Sequence, residues 1–124
     1  MSWIIEGAEE YCGQTVANGH CVRFVQVAGE LPHTSHWRCG DKVRGGEVEP
    51  GTVIATFDPN GRYGNHLDGR SHAAIFLEER DEGLLVIDQW VGHPVARRTI
   101  RFRGGAGRAV NDGDAFSIVE EVES

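Results

Sequence analysis

Three side chains in the sequence have the types a cysteine hydrolase needs: Cys21, His72 and Asp88. In such enzymes a thiolate attacks, an imidazole moves the proton, and a carboxylate orients and stabilises the imidazolium. Around the first of them, apolar residues recur at Cys21, Phe24, Val25 and Ala28, the spacing of a helix with one buried face. Asn18 is a suitable N-cap, which predicts a helix from there to Ala28 with Cys21 third inside its first turn. The helix dipole and the unpaired amides of a first turn favour thiolate over thiol. A cysteine on an apolar helix face is more often a small buried hydrophobe, so the base decides between the two.

His72 follows an aperiodic loop, residues 62–70, and opens the apolar run His72–Leu77. That run reads as a strand, which puts His72 at the rim of a sheet. His66 is the rival base, but a long loop holds an imidazole poorly within reach of a thiol. Asp88 interrupts the apolar strand Leu84–Trp90, where a carboxylate is costly to bury without a partner. Antiparallel pairing across a turn at Glu78–Gly83 leaves two candidates for the residue that orients His72. If Leu77 faces Gly83, His72 faces Asp88; if Leu77 faces Leu84, it faces Gln89. A slip of one residue turns every side chain to the other sheet face. A carboxylate stabilises an imidazolium and an amide does not, so Asp88 is preferred over Gln89.

His33, His36 and Cys39 lie three apart and invite a zinc reading. A fourth ligand is missing at any regular spacing, so neither a metal nor a cofactor is expected. The three cysteines are an odd number, which leaves at least one thiol free. In an oxidising compartment Cys12 and Cys39 would be the pair, closing about 26 residues for roughly 3 kcal/mol on a chain-entropy argument.

The elements that must position these groups follow from the same patterning. Ser2 caps an expected first helix with Ile4, Ala8 and Tyr11 inward, and Gly29 and Pro32 stop the second. Residues 31–50 read as irregular, with Trp37 anchoring a short helical turn. From Gly51 the period changes to two, giving strands at 52–57, 72–77, 84–90, 98–102 and 115–119. Two helices followed by about five antiparallel strands make an α+β fold. With 124 residues and no internal linker or repeat, residues 1–124 form a single domain.

The chain carries 12 basic and 19 acidic residues, a net charge of −7. That balance repels phosphate backbones and argues against nucleic acid as a partner. The basic run Arg97–Arg103 reads as the solvent face of a strand. No apolar stretch is long enough to span a membrane, and the N-terminus lacks the pattern of a cleavable leader. Synthesis in the cytoplasm is expected, with export to the periplasm left to a machine that needs no such leader.

Gly19-His20-Cys21-Val22, Ser71-His72-Ala73-Ala74-Ile75 and Val86-Ile87-Asp88-Gln89-Trp90, in that order, resemble the CHAP and NlpC-type papain-like cysteine hydrolases of bacterial cell walls. More narrowly, Asn18-Gly19-x-Cys21-Val22, Gly51-Thr52-x-Ile54-Ala55-Thr56-Phe57, Gly61-Arg62-Tyr63, His72-Ala73-Ala74 and Asp88-Gln89-Trp90 resemble a small bacterial family linked to type VI secretion amidase effectors. The resemblance runs from Val16 to Phe116. It implies a papain-like fold and hydrolysis of an amide in peptidoglycan peptide stems, with Cys21, His72 and Asp88 as the triad. A peptidoglycan fragment is then the substrate partner, and a toxin would bring a cognate inhibitor protein. His20 stands where CHAP proteins often carry glutamine, which bears on the oxyanion site or on substrate contacts. Trp37, Tyr63 and Trp90 are candidate groove walls, although aromatics are usually buried. Two other classes share the same residues: a non-catalytic binding module of this fold, and a cysteine deamidase acting on protein glutamine.

Overall fold

The apolar runs beyond residue 50 pair edge to edge, and the sheet they build is larger than its sequence signals. The computed structural model describes residues 2–121. Six strands lie within them: β1 (Trp37–Lys42), β2 (Val53–Thr56), β3 (Ala73–Glu79), β4 (Gly83–Trp90), β5 (His93–Arg101) and β6 (Phe116–Glu121). They form one sheet in the order β1-β6-β2-β3-β4-β5, antiparallel throughout. The helix α1 (Cys21–Gly29) packs on β3 and β4. The fold class is α+β and papain-like, as expected. Among the described residues no helix is long and apolar enough to cross a membrane.

Because side chains alternate across a strand, the central strands feed two apolar layers. Phe24 and Val25 of α1 pack with Val53, Ile75 and Ile87 on one face. Ile54, Phe76, Val86, Ile100 and Phe116 form the other. Burial on both sides is why these strands read as nearly continuous apolar runs.

The expected first helix is not there. Ser2 bridges to Glu120 and Ile4 to Thr52, the Ile5 N–H donates to the Gly51 carbonyl at 2.8 Å, and only Ala8–Tyr11 turn as a short 3-10 segment. Trp3, Ile4 and Ile5 favour extended backbone, and Gly7 at φ +75° stops anything helical from growing through it. Strand β1 is the converse error, since it lies inside the stretch read as irregular. Only Trp37 of its six residues is buried, so an edge strand left no alternation to read. The helical turn expected at Trp37 immediately precedes it, at Thr34–His36.

The pairing of β3 with β4 follows neither expected register. Ile75 faces Ile87 and Phe76 faces Val86, but Glu78 faces Leu85 and Glu79 faces Leu84. Leu77 is therefore an extra residue, a bulge. The turn is also tighter than expected, with Arg80 and Gly83 exchanging backbone hydrogen bonds. Carried back to the start of β3, this register sets Trp90 opposite His72 and Asp88 opposite Ala74. His72 and Asp88 thus share a sheet face as diagonal neighbours, a separation that long side chains bridge.

Cys12 and Cys39 are free and exposed. The backbone at Gly13 is bonded to Val95 of β5, whereas Cys39 lies on β1, at the opposite edge with four strands between. Strands are spaced by roughly 5 Å, and a disulfide needs Cα atoms within about 7 Å. The melting temperature should accordingly be the same with and without reductant, measured on air-exposed protein.

Candidate active site

Asn18-Gly19 is a turn signal, and the chain obeys it before the helix begins. Gly19 sits at φ +85°, and Asn18 Oδ1 accepts from the His20 N–H at 3.1 Å. The N-cap is therefore His20, in extended conformation and without a side-chain cap. Cys21 becomes the first helical residue rather than the third. The first intrahelical bond runs from the Phe24 N–H to the His20 carbonyl at 3.3 Å. The amides of Cys21, Val22 and Arg23 thus lie ahead of it, at the positive end of the dipole. Phe24 and Val25 anchor the helix in the core, and Cys21 and Ala28 are partly buried against it, so the apolar stripe that points the thiol inward is the expected one.

His72 precedes β3 by one residue. Its N–H donates to Thr56 Oγ1 at 2.9 Å, and its own carbonyl accepts from the Thr56 N–H at 3.0 Å. The ring is 5% exposed and lies edge-on to Trp90 and to Phe116. Nε2 is 2.7 Å from Oδ2 of Asp88, which is fully buried. That bond leaves Nδ1 for Cys21. The same carboxylate oxygen accepts from Arg98 Nε at 2.7 Å, while Asp88 Oδ1 is buried without a hydrogen-bond partner among the described residues.

Burial works against a charged Cys21, but the hydrogen bond to His72 and its positive charge outweigh that and lower the thiol pKa. Burial likewise opposes a charged His72. The hydrogen bonds to Asp88 and Cys21, with their negative charges, raise it to about 9. Each group thus favours the charged form of the other, thiolate beside imidazolium. Burial and the Cys21 charge beside it push Tyr63 well above the usual phenol range. Its hydroxyl, 3.9 Å from Sγ, stays a neutral donor facing the sulfur.

Gln89, the alternative orienting residue, alternates to the opposite sheet face. It is fully buried, accepts from the Val16 N–H, and donates to the carbonyls of Val16 and His20, each at 2.9 Å. It fixes the segment leading into α1 and leaves His72 to Asp88. His66, the rival base, is held by Asp58 at 2.9 Å. The two groups converge, and Gly64 makes room for them: a Cβ there would lie 2.2 Å from Asp58 Oδ2.

Cys21, His66, His72 and Arg98 border an open cleft of about 590 Å³, which His20, Tyr63 and Trp90 also line. Trp37 does not reach it. It is fully buried, 5.3 Å ring to ring from Tyr63, and supports that wall from behind. The zinc reading does not survive either. His33 Nδ1 accepts from the Ser35 N–H at 3.1 Å, and among the described residues no group of three or more His, Cys, Asp or Glu is placed to hold a metal ion.

Arg98 lies in the basic run expected to face solvent, yet it reaches the site. The signal was present, because a carboxylate buried in an apolar strand needs a cation and the next strand carries arginines. Arg98 faces Val86 and Ala96 faces Asp88, so Arg98 and Asp88 point to one side.

The ion pair predicts a specific pH response. In a Cys12→Ser/Cys39→Ser protein, the pH midpoint for alkylation of Cys21 by iodoacetamide should lie below that of an ordinary thiol, whose pKa is about 8.5. The rate should fall only as pH drops through the lowered Cys21 value. A rate that tracks a free-cysteine peptide would show that no such pair exists.

A sequence profile of the family described as "Domesticated amidase effector 2" matches residues 3–119. A type VI secretion amidase effector 2 protein of Salmonella typhi is 39% identical over 121 residues, covering 86% of this chain and 90% of that one. Domesticated amidase effector 2 of Ixodes scapularis is 38% identical over 106 residues, covering 81% and 70%. The solved structure of a type 6 secretion amidase effector 2 superposes with a TM-score of 0.82 at 34% identity, covering 98% of this chain and 96% of the other. The chain belongs to the amidase effector 2 family.

Proposed function

We propose that the protein is a cysteine amidase that hydrolyses an amide in the peptide stems of peptidoglycan. The observation that carries this reading is His72 held by Asp88 at 2.7 Å on Nε2, with Cys21 and His72 on one open cleft and the thiol pKa lowered by His72. The thiolate attacks the carbonyl carbon, and the developing oxyanion meets the Cys21 N–H at the start of α1. The imidazolium then gives its proton to the leaving amine, and a thioester remains. Water, deprotonated by the now neutral His72, attacks the thioester, releases the acid and restores the thiol. His20, Tyr63 and Trp90 contact the peptide along the cleft. No step calls for a metal or cofactor.

The relatives' names carry type VI secretion. The reading extends to delivery by that route to peptidoglycan outside the cytoplasm. A cognate inhibitor protein would protect the producing cell.

Mass spectrometry of muropeptides after incubation tests the amidase reading. New fragments should appear in pairs whose masses sum to a parent plus one water, and activity should decline as pH rises through about 9, where His72 loses its proton. Intact muropeptides would overturn it, and release of ammonia from protein glutamine instead would move the enzyme to the deamidase class.

A further inference from the structure

The cleft has a charge balance opposite to that of the chain. The net charge is −7, yet among the described residues no aspartate or glutamate borders the cleft, whereas His20, His66, His72, Arg98 and Arg108 do. The acids nearby are already engaged: Asp88 with His72 and Arg98, and Asp58 with His66. The Arg108 guanidinium has no hydrogen-bond or ion-pair partner among the described residues.

The Arg98 guanidinium and the stem of Arg108 are held by their surroundings. Arg98 commits Nε to Asp88, lies 4.8 Å from the centre of the Trp90 ring, and is 24% exposed. The stem of Arg108 rests on Gly69, where a Cβ would sit 2.4 Å from Cδ. The two loops are tied there by the Val110 N–H donating to the Gly69 carbonyl at 3.2 Å. An exposed arginine is ordinarily a solvated charge of little consequence. Here it shares a concave wall with a second, anchored guanidinium and no anion.

We propose that Arg98 and Arg108 form an anion subsite that receives a free carboxylate of the substrate peptide, beside the amide presented to Cys21. This rests on the amidase reading above. A guanidinium fork matches a carboxylate with paired, charge-assisted hydrogen bonds. A carboxamide at the same place brings no charge and turns N–H donors against N–H donors. The subsite therefore selects acidic stem peptides over their amidated forms.

The test uses a synthetic stem peptide with a free carboxylate beside the scissile amide, and its carboxamide twin. Affinity is read by calorimetry on the Cys21→Ala protein at low salt, so the answer does not depend on turnover. The free acid should bind about tenfold more tightly than the amide, the size expected of one charge-assisted contact. Adding Arg108→Gln should shrink that ratio to about twofold, with the circular dichroism unchanged. Equal affinities in the Arg108 protein, no binding of either peptide, or an equal loss for both on Arg108→Gln would each overturn the subsite. Turnover of the same peptides by the wild-type chain is scored separately. Turnover with equal affinities sinks only the subsite, and a carboxylate preference without turnover sinks only the amidase reading.

Discussion

A Cys21→Ala protein should fold normally and lose hydrolysis by roughly ten-thousand-fold or more, the scale seen when a nucleophile is deleted. Folding should survive because alanine is the best helix former and α1 is anchored by Phe24 and Val25, both fully buried. Cys21 is only partly buried and lines the cleft, so the cavity left behind opens to it. The alanine leaves the Tyr63 hydroxyl and the His72 ring without their sulfur partner. The raised His72 pKa should therefore come down, since Cys21 supplies part of what raises it. Circular dichroism and a histidine titration by NMR check these two expectations, and muropeptide turnover checks the first. Cys12→Ser and Cys39→Ser should keep near wild-type activity, as both thiols are exposed and outside the cleft. Turnover by the Cys21→Ala protein would end the cysteine mechanism.

Legibility in the sequence tracked how local each signal was. The α1 stripe is a local period with a full apolar face, and it was readable. The cap was off by two residues because Asn-Gly can serve a turn or a cap, and here Gly19 at φ +85° took the turn. Strand β1 was invisible because its partner, β6, lies some eighty residues away and supplies the order that β1's own residues do not. Leu77 is the instructive case. The exchange between Arg80 and Gly83, continued without interruption, would place His72 opposite Val91 and turn it away from Asp88. One bulged residue restores the parity. Asp88 was therefore identified from its chemistry, through a pairing offset by two residues that preserved the face. Arg98 required the register of a third strand, which no local pattern in β5 reveals.

Asp88→Asn should reduce kcat/KM by roughly a thousandfold, within the range for removing the carboxylate behind a catalytic imidazole. The change keeps size and shape but removes the negative charge that His72 and Arg98 share through Oδ2. Arg98 Nη2 lies 3.4 Å from His72 Nε2, so without the carboxylate a cation faces the imidazolium uncompensated. The His72 pKa should fall, the thiolate should lose its counter-ion, and the alkylation rate of Cys21 should take on the pH dependence of an ordinary thiol. Gln89→Ala should fail differently. It removes three hydrogen bonds, leaving the Val16 N–H without its partner while the carbonyls of Val16 and His20 keep only the Gly19 and Phe24 N–H donors, which costs about 3 kcal/mol. For a chain of this length that lowers the melting temperature by about 10 °C. Any activity it loses should be recovered in part at low temperature, where the segment ahead of α1 stays folded, whereas no cooling recovers Asp88→Asn. A stable, inactive Gln89→Ala protein beside an active Asp88→Asn protein would reverse the assignment and make the amide the residue that orients His72.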